Sequence, residues 1–203
     1  MRWNQLATDL FAFYNDSCTV YVLRYGDRAL VVDFATGRWI EHLDEIGVRS
    51  VEYVVLTHAH RDQCCGLYRI GLGDWKLHAP AGDRALLAPE QHEQFWDIYQ
   101  HNGCPTNYAA PRLPLPEAVY DLHADGEVVL GPVRLCAIAT PGHTRGALTY
   151  LVEWNGYDVA FCGDALRGGG TIHQPYHLEW DHWTGSGALA AWHGLCLLYT
   201  SPS

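Results

Sequence analysis

The sequence has no run of about 20 apolar residues, which is the length that an α-helix needs to cross a lipid bilayer. It also lacks a basic excess, because 13 Lys and Arg stand against 23 Asp and Glu, giving a formal net charge of -10 at pH 7. Proteins that bind phosphate backbones usually carry a basic surface. We therefore expect neither a membrane nor a nucleic acid as a partner.

Two further absences concern the compartment. The opening stretch, MRWNQLATDLFAFYND, lacks the basic and then apolar pattern of a secretory signal. The seven cysteines show no paired framework spacing, and a chain of 203 residues can form a core without covalent cross-links. We interpret most of the cysteines as reduced thiols, and these features together predict a cytoplasmic protein.

Short β-strands dominate what is present. The segments 19–25 and 29–34 flank a Gly26–Asp27 turn and predict a hairpin. Segment 37–47 has helical spacing, and the apolar run 51–57 is typical of a strand covered on both faces. The other predicted elements are a strand at 76–79, helices at 81–88, 89–103 and 186–195, a proline-rich loop at 104–118, and strands at 127–130, 133–140, 147–154 and 157–163, with a hairpin turn at Asn155–Gly156. This order predicts the α/β class, as a four-layer αββα sandwich with two sheets face to face and helices outside.

The stretch VEYVVLTHAHRDQCCG, residues 51–66, carries the first chemical signal. His58, His60 and Asp62 occupy alternate positions just after the predicted buried strand. In an extended chain such side chains point the same way, about 6.5–7 Å apart. A single histidine here is usually an ordinary loop residue, but imidazole and carboxylate groups together suit zinc, and also iron or manganese. The triplet therefore predicts a metal site.

Two later motifs place ligand-type residues at the exits of other predicted strands. In TPGHTRGAL, residues 140–148, His143 stands in a Pro-Gly turn, and in FCGDAL, residues 161–166, Asp164 follows a glycine. Either residue alone would usually be a cap or turn residue. Together with the first motif they indicate ligands gathered at one rim of a layered fold.

THAHRDQ, TPGHTRG and FCGDAL, in this order and at these separations, resemble the metallo-β-lactamase-fold superfamily over roughly residues 13 to 195. VVDFATG, residues 31–37, is similar to a conserved turn of the same superfamily. The resemblance implies a first ion held by His58, His60 and His143. It also implies a second ion held by Asp62, the residue after it and a histidine near the C-terminus, with Asp164 bridging both ions.

The chemistry that this resemblance implies is hydrolysis with Zn²⁺, as one or two ions. A metal-bound water has its pKa lowered from near 16 to about 7, so its hydroxide can attack at neutral pH. The expected substrate is a small molecule with an ester, thioester, lactone or amide bond. Asp62 is the implied catalytic residue, because it would orient the hydroxide and carry a proton.

Gln63 departs from the superfamily pattern, which has a histidine at that position. A neutral amide oxygen is a poorer zinc ligand than imidazole and favours harder ions. We therefore predict weak or absent ligation of a second ion by Gln63. Asp164 also separates this chain from the antibiotic-degrading branches that use a cysteine ligand at the bridging position.

Two other functions stay open at this point. The superfamily contains mononuclear iron oxygenases, and a weakened second site suits a single iron ion. A non-catalytic metal-binding relative is the third reading, although a disabled site has no physical reason to keep His58, His60, His143 and Asp164. Cys64 and Cys65, expected to begin the helix after the first motif, are interpreted as packing residues, with a thiol near the ion as the lesser alternative.

The end of the chain carries a separate expectation. CLLYTSPS, residues 196–203, resembles translated adapter sequence, so we expect a domain at 1–195 followed by a non-native tail. The native protein would then continue into a last strand and a last histidine ligand, both lacking here. His193 falls inside the predicted helix 186–195 and is not expected to replace that ligand.

Overall fold

The structure, a computed structural model, describes residues 3–14, 18–70, 73–87, 119–122 and 126–166. The predictions of helices at 89–103 and 186–195, of a loop at 104–118 and of a tail at 196–203 lie outside the described residues. The described strands are β1 Trp3–Ala7, β2 Leu10–Tyr14, β3 Thr19–Tyr25, β4 Arg28–Val32, β5 Ser50–Val55, β6 Lys76–Pro80, β7 Val119–Leu122, β8 Gly126–Leu130, β9 Val133–Ala139, β10 Leu148–Trp154 and β11 Tyr157–Phe161. The described helices are α1 Arg61–Cys64, α2 Leu67–Ile70 and α3 Arg84–Leu87, with 3₁₀ helices at Arg38–Ile46, Ala81–Asp83 and Gly163–Ala165.

The strands form two sheets. The first has seven strands in the order β1-β2-β3-β4-β5-β6-β7, and the second has four in the order β11-β10-β9-β8. In the first sheet, neighbours are antiparallel up to β4 and parallel from β4 to β7. The second sheet is antiparallel throughout. Strands β4, β5 and β6 therefore end at a shared edge, and so do β9 and β11, which both run opposite to β10.

Two hydrophobic cores hold the layers together. Successive side chains of a strand point to opposite faces, so Val22 of β3 packs against the helices while its neighbour Leu23 packs against the second sheet. Val31 and Leu30 of β4 divide in the same way. Burying one such side chain contributes about 1.5–3 kcal/mol. The described part of the chain thus contains a helical layer and two face-to-face sheets, and the outer helical layer predicted from 186–195 lies outside it.

The turn signals in the sequence are confirmed. Tyr25 pairs with Arg28 across the two-residue turn at Gly26–Asp27. Asn155 and Gly156 both have positive φ, 50° and 83°, as a type I′ hairpin requires. The predicted helix at 37–47 is a 3₁₀ helix over Arg38–Ile46, and it ends at Gly47 in the left-handed conformation.

Other elements differ from the sequence-based expectation. The sequence analysis did not predict strands β1, β2 and β7. In β1 only Trp3 is buried, so that strand shows no alternating apolar pattern. The helix after the first motif begins at Arg61, so the expectation that Cys64 and Cys65 begin it is wrong. Asp62 consequently lies in α1 and not in an extended chain. The argument that His58, His60 and Asp62 point the same way because they alternate along a strand therefore does not apply to Asp62. The segment 81–88 divides into a 3₁₀ turn, Ala81–Asp83, and α3.

Candidate metal centre

The two shared sheet edges deliver the polar residues of the site. Residues after β4, β5 and β6 supply one group of side chains, and residues after β9 and β11 supply the other. These side chains are Asp33, His58, His60 and Asp83 from the first sheet, and His143 and Asp164 from the second. The sheets are joined here directly, since the amide of Leu148 donates to the carbonyl of Thr57 at 2.9 Å.

Three histidines converge at this rim although they lie far apart in sequence. One ring nitrogen each of His58, His60 and His143 lies within 4.8 Å of the others. Nδ1 of His60 and Nε2 of His143 are 2.7 Å apart. All three side chains are buried, at 1%, 2% and 5% exposure. The structure therefore brings together the predicted ligands of a first ion, and their ligation of a metal stays a prediction.

Thr57 connects His58 to a buried carboxylate. Its hydroxyl lies 3.0 Å from both carboxylate oxygens of Asp33 and 3.1 Å from Nδ1 of His58, and its amide donates to Oδ1 of Asp33 at 2.8 Å. With Asp33 ionised, the hydroxyl proton goes to the carboxylate, and the hydroxyl oxygen accepts from Nδ1–H of His58. Nε2 of His58 then carries the lone pair that a metal ligand needs.

Burial sets the protonation of this chain of contacts. It raises the pKa of Asp33 to about 8, although the two donors of Thr57 oppose the rise, so the ionised form that this tautomer requires predominates only above that pH. Burial, together with the neighbouring His60 and His143, lowers the pKa of His58 well below its ordinary value. His58 is therefore a neutral imidazole at pH 7, which is the form that binds metal ions.

The same histidine also provides a test of whether a metal fits. Nε2 of His58 is buried and has no hydrogen-bond partner among the described residues. A buried polar atom without a partner is costly, so such an atom in a native fold needs an explanation. A divalent ion in the company of the nitrogens of His60 and His143 explains it, and the donor set of three imidazoles suits zinc.

Two carboxylates adjoin the histidines. Oδ2 of Asp164 lies 3.2 Å from Nε2 of His143 and 3.9 Å from Nε2 of His58. Burial opposes the ionisation of Asp164, but the hydrogen bond with His143 and the electrostatic influence of the neighbouring histidines outweigh it, and the pKa of Asp164 lies well below its ordinary value. Burial and the nearby Asp164 raise the pKa of Asp62. One carboxylate is thus held ionised, and the other is shifted towards carrying a proton.

Gln63 lies inside the protein, with 2% of its surface exposed. Its backbone carbonyl accepts hydrogen bonds from the amides of Phe34 and Ala35, both at 2.9 Å. These bonds fasten α1 to the turn that follows β4. Weak ligation of a second ion by the Gln63 side chain stays a prediction.

Gly163 permits a close approach between the two halves of the site. Its φ is +52°, and a Cβ atom at this position would lie 2.6 Å from Oγ1 and 2.9 Å from Cβ of Thr57. Both distances are too short for any side chain. A glycine immediately before Asp164 is therefore required for the loop after β11 to reach the histidines.

The cysteines beside the motif have different surroundings. Cys64 is fully buried, and its thiol donates to the carbonyl of His60 at 3.1 Å, so its interpretation as a packing residue is confirmed. Cys65 is half-buried, and its thiol donates to the carbonyl of Ala35 at 3.5 Å. Burial raises the pKa of Cys18, and the charges of Asp33, Asp62 and Asp164 raise it further.

One residue of this region was missed by the sequence analysis. Asp83 is 1% exposed and accepts hydrogen bonds from both histidine-bearing loops. The signal available was weak: an aspartate four residues after the predicted strand 76–79, at the edge where the other site residues gather. Aspartates in such places are commonly helix caps.

The comparison with known families agrees with this geometry. A sequence model of the metallo-beta-lactamase superfamily matches residues 14–199. The chain belongs to this superfamily, and its fold is the metallo-β-lactamase α/β sandwich.

Individual relatives are more distant. The chain is 31% identical over 151 residues to a hydroxyacylglutathione hydrolase of Shewanella sp. (strain ANA-3), a match covering 74% of this chain and 45% of the relative. It is 27% identical over 156 residues to the protein of the same name from Shewanella halifaxensis (strain HAW-EB4), with 76% and 45% covered. The chain therefore spans less than half the length of these relatives.

Solved structures support the fold. The native FEZ-1 metallo-beta-lactamase from Legionella gormanii matches with a TM-score of 0.69 at 18% identity, covering 98% of this chain and 75% of that one. At this identity the likeness concerns the fold alone. Separately, none of the helices in the described ranges is both long and apolar enough to span a bilayer.

Proposed function

We propose that this protein is a zinc-dependent hydrolase of a small acyl compound, and that a thioester is the bond it cleaves. The observation that carries the proposal is the convergence of His58, His60 and His143, together with Nε2 of His58, which has no hydrogen-bond partner in the described part of the chain. Membership of the metallo-beta-lactamase superfamily, matched over residues 14–199, supports it. A cytoplasmic location and a small-molecule substrate belong to the same proposal.

The preference for a thioester rests on the relatives and on one residue. The relatives from Shewanella are hydroxyacylglutathione hydrolases, and a glutathione thiol carries an acyl group as a thioester. Asp164 stands where the cysteine-using antibiotic-degrading branches have their cysteine. The likeness to solved β-lactamases at 18% identity carries no substrate, so esters, lactones and amides rank below the thioester here.

Each described side chain has a role in this proposal. A bound zinc ion would supply an activated water and a positive charge opposite the oxygen that becomes negative during acyl transfer. His58, His60 and His143 would hold the ion, and Thr57, when Asp33 is ionised, would keep His58 in the tautomer that presents Nε2. Asp164 stays ionised beside His143 and would neutralise part of the ion's charge.

Asp62 is the proposed proton carrier. Its pKa is raised by burial and by the charge of Asp164, which brings the carboxyl closer to protonation at working pH than an ordinary aspartate. Hydrolysis of a thioester requires a proton to move from the attacking water to the leaving thiolate. A carboxyl group that readily exchanges its proton suits that transfer.

The number of ions follows from Gln63. Asp62 and Asp164 offer carboxylate oxygens for a second ion, but Gln63 offers only an amide where imidazole would bind zinc more strongly. We therefore propose one tightly held ion and a weak second one. The weak second position also favours the alternative of a mononuclear iron oxygenase, and metal analysis of protein expressed in unsupplemented medium separates the two.

The test is hydrolysis of an S-hydroxyacyl glutathione by the zinc-loaded protein, with a lactone and a β-lactam as comparison substrates. We expect release of free glutathione thiol, loss of activity with a chelator and recovery with Zn²⁺. The iron-loaded protein, assayed with oxygen, provides the comparison for the oxygenase. Zinc-loaded protein that leaves the thioester and both comparison substrates intact would refute the proposed function.

A further inference from the structure

Asp83 joins the two loops that carry the three histidines. Its Oδ2 accepts from the amide of Ala59 at 2.9 Å and from the hydroxyl of Thr144 at 2.8 Å. Its Oδ1 accepts from the amide of Gly146 at 2.7 Å. Ala59 lies between His58 and His60, and Thr144 follows His143 directly. One carboxylate therefore fixes the backbone on both sides of the site.

The backbones around Asp83 are in close contact as well. A Cβ atom on Gly82 would lie 2.7 Å from Cα of Gly146, and one on Gly146 would overlap the amide nitrogen of Asp83. Neither position therefore has space for a side chain. The loop after β9 thus rests directly on the start of the 3₁₀ helix Ala81–Asp83, and the carboxylate is held from both directions.

These three bonds go to backbone amides and the Thr144 hydroxyl, so they act on the histidines by holding the loops that carry them. The amide of Ala59 and the hydroxyl of Thr144 share one oxygen, which sets the separation of the two ligand loops. The carboxylate oxygens accept from all three of these donors, whereas an amide in the same place presents an N–H group to at least one of them. Small changes in ligand separation are costly because zinc requires a defined tetrahedral geometry.

We propose that Asp83 is a positioning residue that fixes the distance between His143 and the pair His58 and His60, and that it thereby raises the affinity of the site for its first metal ion. This rests on the proposed function, in which the three histidines hold a zinc ion. It predicts that Asp83 acts on metal affinity beyond any effect it has on folding.

The test compares three variants of the full chain. Asp83→Asn removes one acceptor and the charge, and Thr144→Val removes one hydrogen bond and keeps the charge. Leu23→Ala, in the core between the sheets and away from the rim, lowers stability without touching the ligand loops. The measurements are the zinc dissociation constant by chelator competition, the Co²⁺ absorption spectrum and the unfolding midpoint of the metal-free protein.

We expect Asp83→Asn to weaken zinc binding by about 10–100-fold, the range for residues that orient metal ligands. Thr144→Val should weaken it less, in the same direction, and Leu23→Ala should leave it unchanged. The Co²⁺ spectrum should change most in Asp83→Asn, less in Thr144→Val and not in Leu23→Ala. Equal zinc affinity in Asp83→Asn and the wild type, or an equal loss in Leu23→Ala, would overturn the proposal.

Amide hydrogen exchange of the metal-free proteins separates this proposal from the proposed function. In Asp83→Asn the amides of Ala59 and Gly146 should exchange faster together, while amides of β3 keep their wild-type rates. A wild type that binds no metal would refute the metal site itself. If these two amides also kept their protection in Asp83→Asn, the bridging of the loops would be refuted independently.

Discussion

The loop after β5 and the loop after β11 contribute to the same site but are held very differently. His58 and His60, after β5, are 1% and 2% exposed, and the residues beside them bond to Asp33 and Asp83. Asp164, after β11, lies on a three-residue 3₁₀ helix, and its side chain is 30% exposed. The described contacts of its carboxylate are those to the histidines themselves.

The site therefore has two parts. The fold itself fixes the histidines after β5, whereas the position of Asp164 after β11 depends more on the bound ligand. Side chains fixed by buried hydrogen bonds lose little entropy when an ion binds, whereas a half-buried carboxylate on a short 3₁₀ helix loses more. The histidine side is therefore expected to decide whether the first ion binds. The acidic side, with Asp62 and Asp164, is expected to tune charge and proton transfer.

The largest expected effect comes from removing a histidine. His143→Ala should weaken zinc binding by more than about 100-fold, beyond the range for residues that only orient ligands, because a nitrogen ligand is lost. Asp164→Ala should weaken it less. Chelator competition measures both, and His42→Ala, whose ring bonds to Glu45 on the 3₁₀ helix, serves as the control. A larger loss in Asp164→Ala would reverse the comparison.

A smaller effect should follow from loosening a histidine without removing it. Thr57→Val keeps the shape of the side chain but removes the hydroxyl between Asp33 and His58. Zinc affinity should fall by about 10-fold, since the orienting partner of a metal ligand is lost. Thr57→Ser retains the hydroxyl and should bind zinc as the wild type does. Equal affinities in the Val and Ser variants would show that the hydroxyl does not orient His58.

Gln63→His tests the acidic side of the site. Imidazole restores a nitrogen ligand that the amide lacks, so the zinc-to-protein ratio should rise from about one towards two. Metal analysis after dialysis gives the ratio, and Gln63→Asn, which keeps an amide, is the matched control. If the ratio stays the same in Gln63→His, another feature of the second position limits its occupancy.

The smallest expected effect is a change in the reactivity of Cys18, whose pKa responds to the charges of Asp62 and Asp164. Burial and the charges of Asp33, Asp62 and Asp164 raise the pKa of Cys18, which keeps the thiol protonated and slow to alkylate. Asp164→Asn removes one of those charges, so alkylation of Cys18 by iodoacetamide at pH 8 should become about 2-fold faster. Peptide mapping by mass spectrometry gives the rate.

The exposed Cys136 provides the internal reference for this experiment. Its rate should be the same in the wild type and in Asp164→Asn. If Cys18 and Cys136 accelerated equally, the change would reflect the solution conditions, and Asp164 would have no measurable influence on Cys18.

Sequence reasoning succeeded where the signal is local. Gly26, Asn155 and Gly156 define their hairpin turns through positive φ, a conformation that few other residues adopt. His58, His60, His143 and Asp164 each follow a strand, and layered folds collect such residues at one rim. Their convergence in the structure follows from the parallel course of β4, β5 and β6 and from the position of the second sheet.

It failed where the signal is tertiary. Asp83 accepts from Ala59, 24 residues earlier, and from Gly146, 63 residues later, and nothing beside it in the sequence indicates those partners. The same limit applies to β1, where Trp3 alone is buried and Nε1 of Trp3 donates to the carbonyl of His42 at 2.7 Å. Patterns reveal which face of an element is apolar, but they do not reveal what a polar residue will reach.

The lack of space for a side chain at Gly163 affects how this protein tolerates substitutions. Because any Cβ there would displace the Thr57 hydroxyl, a saturation library would record position 163 as sensitive as the histidines, although it carries no functional group. Inserting or deleting a residue between β11 and Asp164 would have the same outcome. Sensitivity at position 163 would therefore reflect the space that the site requires. Glycine alone should be tolerated there, whereas glycine at a histidine position would remove a metal ligand.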